Sequence, residues 1–294
     1  MYNNHLYANP QSGMSGADIV YEIVVEGSIT RYMAVFQDYL DLQKMGSIRS
    51  TRRYFLDFAM DASAVLVHFG RDGSITDVFD QIGCKHLEGM WNDYNYWRSS
   101  DRVAPHNVFT TGQDIADGLE AAGYGAKLKK PIKEPMFQFY QSTKLMEEER
   151  KVETESESAF PVTHITIPYL PSSNSMNIVP EYFYNEETKM YERSIYGGEQ
   201  RDQENGERIA CKNVLIQIAN IYPRGDEKGH MDMDTIGEGD GYYICEGVAI
   251  PVKWKKESQK KKTMWYLESG ERLTMVPGKT WISIVSLTQD YTLE

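Results

Sequence analysis

From residue 160 to the C-terminus the chain is a succession of short runs rich in β-branched and aromatic residues, at 162–167, 214–219, 242–245, 248–254, 264–267 and 281–287. Turn-forming pairs lie between them: Gly197-Gly198, Asn205-Gly206, Ser269-Gly270 and Pro277-Gly278. No helical repeat of apolar positions survives in this half. Short strands separated by Gly-containing turns restrict it to a mainly antiparallel β architecture.

The first half carries both periods. Residues 19–25 and 29–36 read as strands joined by Glu26-Gly27-Ser28, a link short enough for a hairpin. Residues 51–62 follow Ser50, a good N-cap, and read as a helix with Leu56, Phe58, Ala59 and Ala62 on its apolar face. A buried strand is expected at 64–68. Ser74 with Asp77, and Thr111 with Asp114, have the spacing of capping boxes, and Gly123 is placed to end the second of these helices. The expected class is therefore α+β: an N-terminal mixed α/β domain over residues 1–150 and a β-rich domain over residues 160–294. The glutamate-rich run at 146–158 is expected to be a solvated linker or exposed loop between them.

The chain has 294 residues, of which 41% are hydrophobic and 12% aromatic, enough to bury a sizeable core. A net charge of −12 argues against nucleic acid or an anionic membrane surface as a partner of the overall field, although a local basic site remains open. No run approaches the length of a membrane span. No signal peptide is present, but the opening Met1-Tyr-Asn-Asn leads straight into Pro10-Gln-Ser-Gly, as if upstream sequence were missing.

Against the acidic background stands Ser47-Ile-Arg-Ser-Thr-Arg-Arg-Tyr54, with Arg49, Arg52 and Arg53 and no acid among them. These cations would crowd the start of a helix, whose free N–H groups already favour negative charge. Arg31, on an apolar strand face, needs a partner as well. Two solutions are open. A bound phosphate, sulfate or carboxylate would suit guanidinium forks and helix N–H groups. Alternatively, the protein's own acids, such as Glu22 and Glu26, would pair with the arginines.

Other constellations carry less. Six histidines are scattered with no metal-ligand spacing, so no metal or other cofactor is expected. His68, at a strand end, and His106, in Ala104-Pro-His-Asn107, are the candidates for proton transfer. Residues 232–240 imitate a calcium loop, but Ile236 and Tyr243 occupy ligand positions, so a β-turn is expected. The six lysines of 253–262 suit a solvated hairpin tip better than a polyanion site. Cys84, Cys211 and Cys245 read as buried thiols, a Cys211–Cys245 disulfide being the alternative.

The chain resembles the YerB-like lipoproteins of Gram-positive bacteria, a family of unknown function. In the first half the resemblance is carried by Pro10-Gln-Ser-Gly13, Ala17-Asp-Ile-Val-Tyr-Glu22, Glu26-Gly-Ser-Ile-Thr-Arg31, Ser47-Ile-Arg-Ser-Thr-Arg52, Val67-His68 and Ala104-Pro-His-Asn107. Tyr191-Glu-Arg193, Asn213-Val-Leu-Ile-Gln217 and Pro277-Gly-Lys-Thr-Trp281 carry it in the second half. Where the family has a proline before the Arg-Ser pair, this chain has Ser47. The resemblance implies a two-domain α+β protein, exported and tethered to the outside of the membrane by a lipid anchor that is not in this sequence. It supplies no catalytic residues. The expected function is binding in a polar cleft formed by Arg31, Arg49, Ser50, Arg52, Arg53, His68, His106 and Asn107. The expected ligand is an anionic small molecule, a cell-wall glycan or an envelope protein. The alternatives are a cell-wall enzyme using His68 or His106 as acid or base, and an adaptor with no small-molecule site.

Overall fold

The computed structural model describes residues 1–27, 29–91, 95–125, 132–154, 158–169 and 178–294. Ser28, in the expected hairpin link, and residues 155–157 of the acidic run lie outside the described residues. Strands dominate, with the helices few and short. The four α-helices among the described residues all lie before residue 155, interleaved with short strands.

A nine-stranded sheet organises the molecule. Its path runs Tyr2–Asn3, Thr30–Val35, Ile19–Val24, Thr280–Ser286, Asn213–Ala219, Gly237–Cys245, Val248–Lys256, Phe160–Pro161, and Met264–Leu267 joins it through Val248–Lys256. The central strand Thr280–Ser286 lies parallel to both of its neighbours, a departure from the antiparallel expectation. It inserts between a strand of the first half and one of the second. The expected limits 1–150 and 160–294 thus separate two segments whose strands share one sheet.

Alternation along these strands sends side chains to two cores. Tyr21, Ile23, Met33, Leu215, Ile282 and Ile284 face one core, which is closed by Tyr54, Phe55 and Phe58 of the helix α1 (Arg53–Asp61). Val20, Val24, Tyr32, Val214, Ile216 and Trp281 face the other. That second core is closed by a six-stranded sheet containing His164–Thr166, Glu181–Asn185 and Met190–Ile195. Burial on both faces explains why the central strands read as nearly continuous apolar runs.

Several local expectations are met and others are displaced. Thr111 and Asp114 form the capping box before Gly112–Ala121. At the other proposed box, Asp72 rather than Ser74 accepts the cap hydrogen bond, from Ser74 N, and it opens a 3-10 turn at Gly73–Ile75. Helix α2 (Val78–Ile82) follows without a side-chain cap. Gly112–Ala121 is α3. The acidic run is helical up to Thr154 in α4 (Thr143–Thr154) rather than a loop. Glu, Lys and Arg are good helix formers, and Arg150 ties this helix to the second half by donating to the Cys245 carbonyl at 2.5 Å and pairing with Glu246 at 3.3 Å. The expected turn at 232–240 contains the end of Met231–Met233 and the start of Gly237–Cys245. The lysine run does span a hairpin tip, yet Lys256 is buried and paired with Asp61. All three cysteines are free and buried.

Candidate functional site

The arginine cluster is assembled where three backbone segments run side by side. Asn3 N donates to Ser47 O, Arg49 N to Met1 O, and Ile48 N to Val108 O. Residues 47–49 are therefore held between the N-terminal segment and residues 106–108. Just beyond, Gly70 adopts a φ of +90°, and a Cβ there would lie 2.6 Å from Ser50 Oγ, so only glycine fits. Met90 Sδ lies 3.3 Å from the same position.

Glu26, in the turn after Ile19–Val24, is the hub. Its Oε1 accepts from Arg31 Nη2 at 2.5 Å, and its Oε2 accepts from Arg52 Nη2 at 2.7 Å and Nε at 3.0 Å. Arg31 also donates to Ser50 O at 2.8 Å, and Arg52 to Thr51 O at 2.8 Å. Both guanidinium groups are nearly buried. One carboxylate thus serves two cations. The pair lowers the Glu26 pKa despite its burial. Burial, with Arg52 alongside, brings the Arg31 pKa down to about 9.

Arg49 is different. It is half-buried, and among the described residues its side chain has no hydrogen-bond or ion-pair partner. Its pKa is lowered by burial, against the attraction of Glu26 and with the repulsion of Arg52 and Arg98. Its charge also reaches His5 and His106. Arg31, Arg49 and Arg52 carry three positive charges against the single charge of Glu26, which leaves +2 within this group.

The two imidazoles stack at 4.4 Å between centroids, and the exposed Tyr7 ring lies 5.2 Å from His5 and 6.0 Å from His106. Asn3 Nδ2 donates to His106 Nδ1 at 3.0 Å, and Tyr7 N donates to His5 Nδ1 at 3.2 Å, so each neutral ring carries its proton on Nε2. Burial and the surrounding cations push the His106 pKa down to about 4 and lower that of His5.

The remaining expected site residues lie apart or play supporting roles. Ser50 does not cap α1: its Oγ donates to Phe69 O at 3.1 Å, while Arg52 is the N-cap, without a side-chain bond. Arg53 turns away to Asp57 at 2.9 Å and Gln259 at 2.8 Å. Asn107 accepts from Arg98 Nη1 at 2.9 Å, whose guanidinium covers Phe69 at 5.2 Å. His68 is fully buried in another network. Its Nδ1 must donate to Gly70 O at 2.9 Å, which leaves Nε2 to accept from His86 Nδ1 at 3.0 Å. Glu88 lies 3.3 Å from it and binds Arg71 at 2.7 Å. Glu22 is not a partner of the cluster but pairs with Arg193 between the two sheets, at 2.6 Å with both side chains buried. Among the described residues no group of His, Cys, Asp or Glu has the arrangement of a metal site.

What fold and site define together is a layered β protein with a cationic cluster only partly neutralised by its own acid. Family models described as the N-terminal and C-terminal domains of a protein of unknown function (DUF3048) match residues 1–125 and 165–282. The Bacillus subtilis (strain 168) protein named "Putative lipoprotein YerB" is 30% identical over 284 residues, covering 96% of this chain and 79% of its own length. The crystal structure of YerB from Bacillus subtilis superimposes with a TM-score of 0.82 at 29% identity, covering 99% of this chain and 91% of that one. The chain belongs to this YerB-like DUF3048 family.

Proposed function

We propose that the protein is an extracytoplasmic, lipid-anchored component of the cell envelope that binds an anionic group through Arg49. The envelope location follows from the relative named as a lipoprotein. The binding reading is carried by one observation: Arg49 is half-buried and has no partner among the described residues, while Arg31 and Arg52 beside it are satisfied by Glu26. Holding an unpaired cation among other cations is unfavourable without an external anion or bulk water. A planar fork with free donors suits a phosphate, sulfate or carboxylate. His68 does not serve the enzymatic alternative, since both its ring nitrogens are engaged internally and no part of it is exposed.

The test compares Arg49→Ala with wild type in sulfate and in chloride at matched ionic strength. Sulfate stabilises proteins generally by exclusion from their surface, so the informative quantity is the increment lost on mutation. An anion bound at tenfold its Kd adds about 1.4 kcal/mol to the native state. That increment disappears in Arg49→Ala and is partly kept in Arg49→Lys. Equal responses of wild type and Arg49→Ala would defeat the proposal.

A further inference from the structure

The cluster offers more than a charge, and the segments packed beside Arg49, residues 1–8 and 106–108, have a definite chemistry. On one side stand three aromatic rings in mutual contact, His5, His106 and Tyr7, with Tyr7 70% exposed. Both imidazoles are neutral near pH 7, because burial and the surrounding cations hold their pKa values down. Their Nδ1 atoms are committed to Asn3 and to the Tyr7 backbone, and among the described residues their Nε2 atoms have no hydrogen-bond partner. Gly70 brings Ser50 and Met90 to its own Cα, and Met90 is 57% exposed. The rings form an uncharged, partly apolar cluster, with His5 and His106 stacked and Tyr7 set at an angle to both, and with N–H donors at its edge.

Inorganic phosphate or sulfate would use Arg49 and the N–H edge but leave the apolar ring faces idle. A carboxylate on a flexible protein side chain would also make little use of a flat face. A pyranose ring has one apolar C–H face, a perimeter of hydroxyls that can accept from imidazole Nε2–H, and room for an anionic substituent. These three features match the aromatic face, the free donors and the guanidinium. Resting on the anion-binding reading above, we propose that the surface formed by Arg49 and these rings recognises an acidic sugar. Its phosphate or carboxylate is held by Arg49, and its ring lies against the exposed Tyr7 face beside the stacked His5 and His106 rings.

The probes are inorganic phosphate, N-acetylglucosamine and N-acetylglucosamine 6-phosphate, titrated calorimetrically into wild type, Arg49→Ala and Tyr7→Ala. Tyr7 is exposed, so its truncation leaves the fold intact, as equal melting temperatures in buffer would show. The sugar phosphate is expected to bind wild type roughly tenfold more tightly than phosphate does, the equivalent of about 1.4 kcal/mol. Tyr7→Ala brings the sugar phosphate down towards the affinity of phosphate and leaves phosphate itself unchanged. Arg49→Ala loses both. If the sugar phosphate binds wild type no better than phosphate, or Tyr7→Ala leaves its advantage untouched, the sugar proposal is overturned while anion binding stands. If neither anion binds wild type, both readings fall together.

Discussion

Glu26 neutralises two buried guanidinium groups at once, so its removal leaves two cations in a low-dielectric site. Fully buried pairs cost about 3–5 kcal/mol when one partner is removed. The Glu26 side chain is 22% exposed, so Glu26→Gln is expected to destabilise by roughly 2–4 kcal/mol, measured by urea unfolding at pH 7. A loss under about 1 kcal/mol would show that water or an anion already screens Arg31 and Arg52. Because the folded Glu26 pKa lies below its usual value, its contribution is present above about pH 4.5 and disappears as pH falls through the folded value. His68 acts in a different window. Burial takes its pKa from 6.5 to about 4, so the unfolded state binds more protons between those values. Stability therefore rises with pH from about 4 to 6.5 and then levels off, by at most on the order of 3 kcal/mol from this residue. In His68→Asn the slope of stability against pH between 4.5 and 6.5 should shrink. An unchanged slope would assign the effect to His5, His86 and His106.

Helix starts in this chain follow two different logics. At α3 the signal is local: Thr111 Oγ1 accepts from Asp114 N at 2.9 Å and Asp114 Oδ2 accepts from Thr111 N at 3.3 Å. Thr111→Ala should cost about 1 kcal/mol, read as a lower urea midpoint with unchanged m-value. At α1 the local signal misleads. Ser50 has the chemistry of a cap, but its hydroxyl is taken by Phe69 O, and the helix begins at Arg53 with no acid in its first turn. The negative charge that this helix start lacks comes from Glu26 and Asp57, a hairpin turn and the next helical turn. Sequence spacing located the helix to within two residues at its start; the rival claim of a nearby carbonyl on Ser50 is a tertiary effect that no local pattern carries.

At the scale of the whole molecule, the insertion of Thr280–Ser286 between Ile19–Val24 and Asn213–Ala219 makes the two family segments mutually dependent. A nick by a Glu-specific protease after a residue of the 155–157 stretch should therefore leave fragments that co-elute under native conditions and separate only in denaturant. Fragments that part without denaturant would mean that each half closes its own core. Much of this chain was legible before folding: the hairpin at 19–36, the α3 capping box, the short strands of the second half, and the need of Arg31 for a partner. These rest on interactions between residues near in sequence, where period and propensity suffice. The partners themselves were not legible. Glu22 and Glu26 are both acids beside the same hairpin, yet one reaches Arg52, 26 residues away, and the other meets Arg193 across 171 residues. Which acid meets the arginine cluster depends on the face of the strand and on the order of strands in the sheet. The freedom of Arg49, the pairing of Arg53 with its own helix and the burial of His68 were settled in the same way. Residue types and spacing determined that this acidic chain must neutralise a cluster of arginines. Only the tertiary structure decided which of them has no partner among the described residues, because strand order and side-chain direction are fixed by the packing of the two cores together.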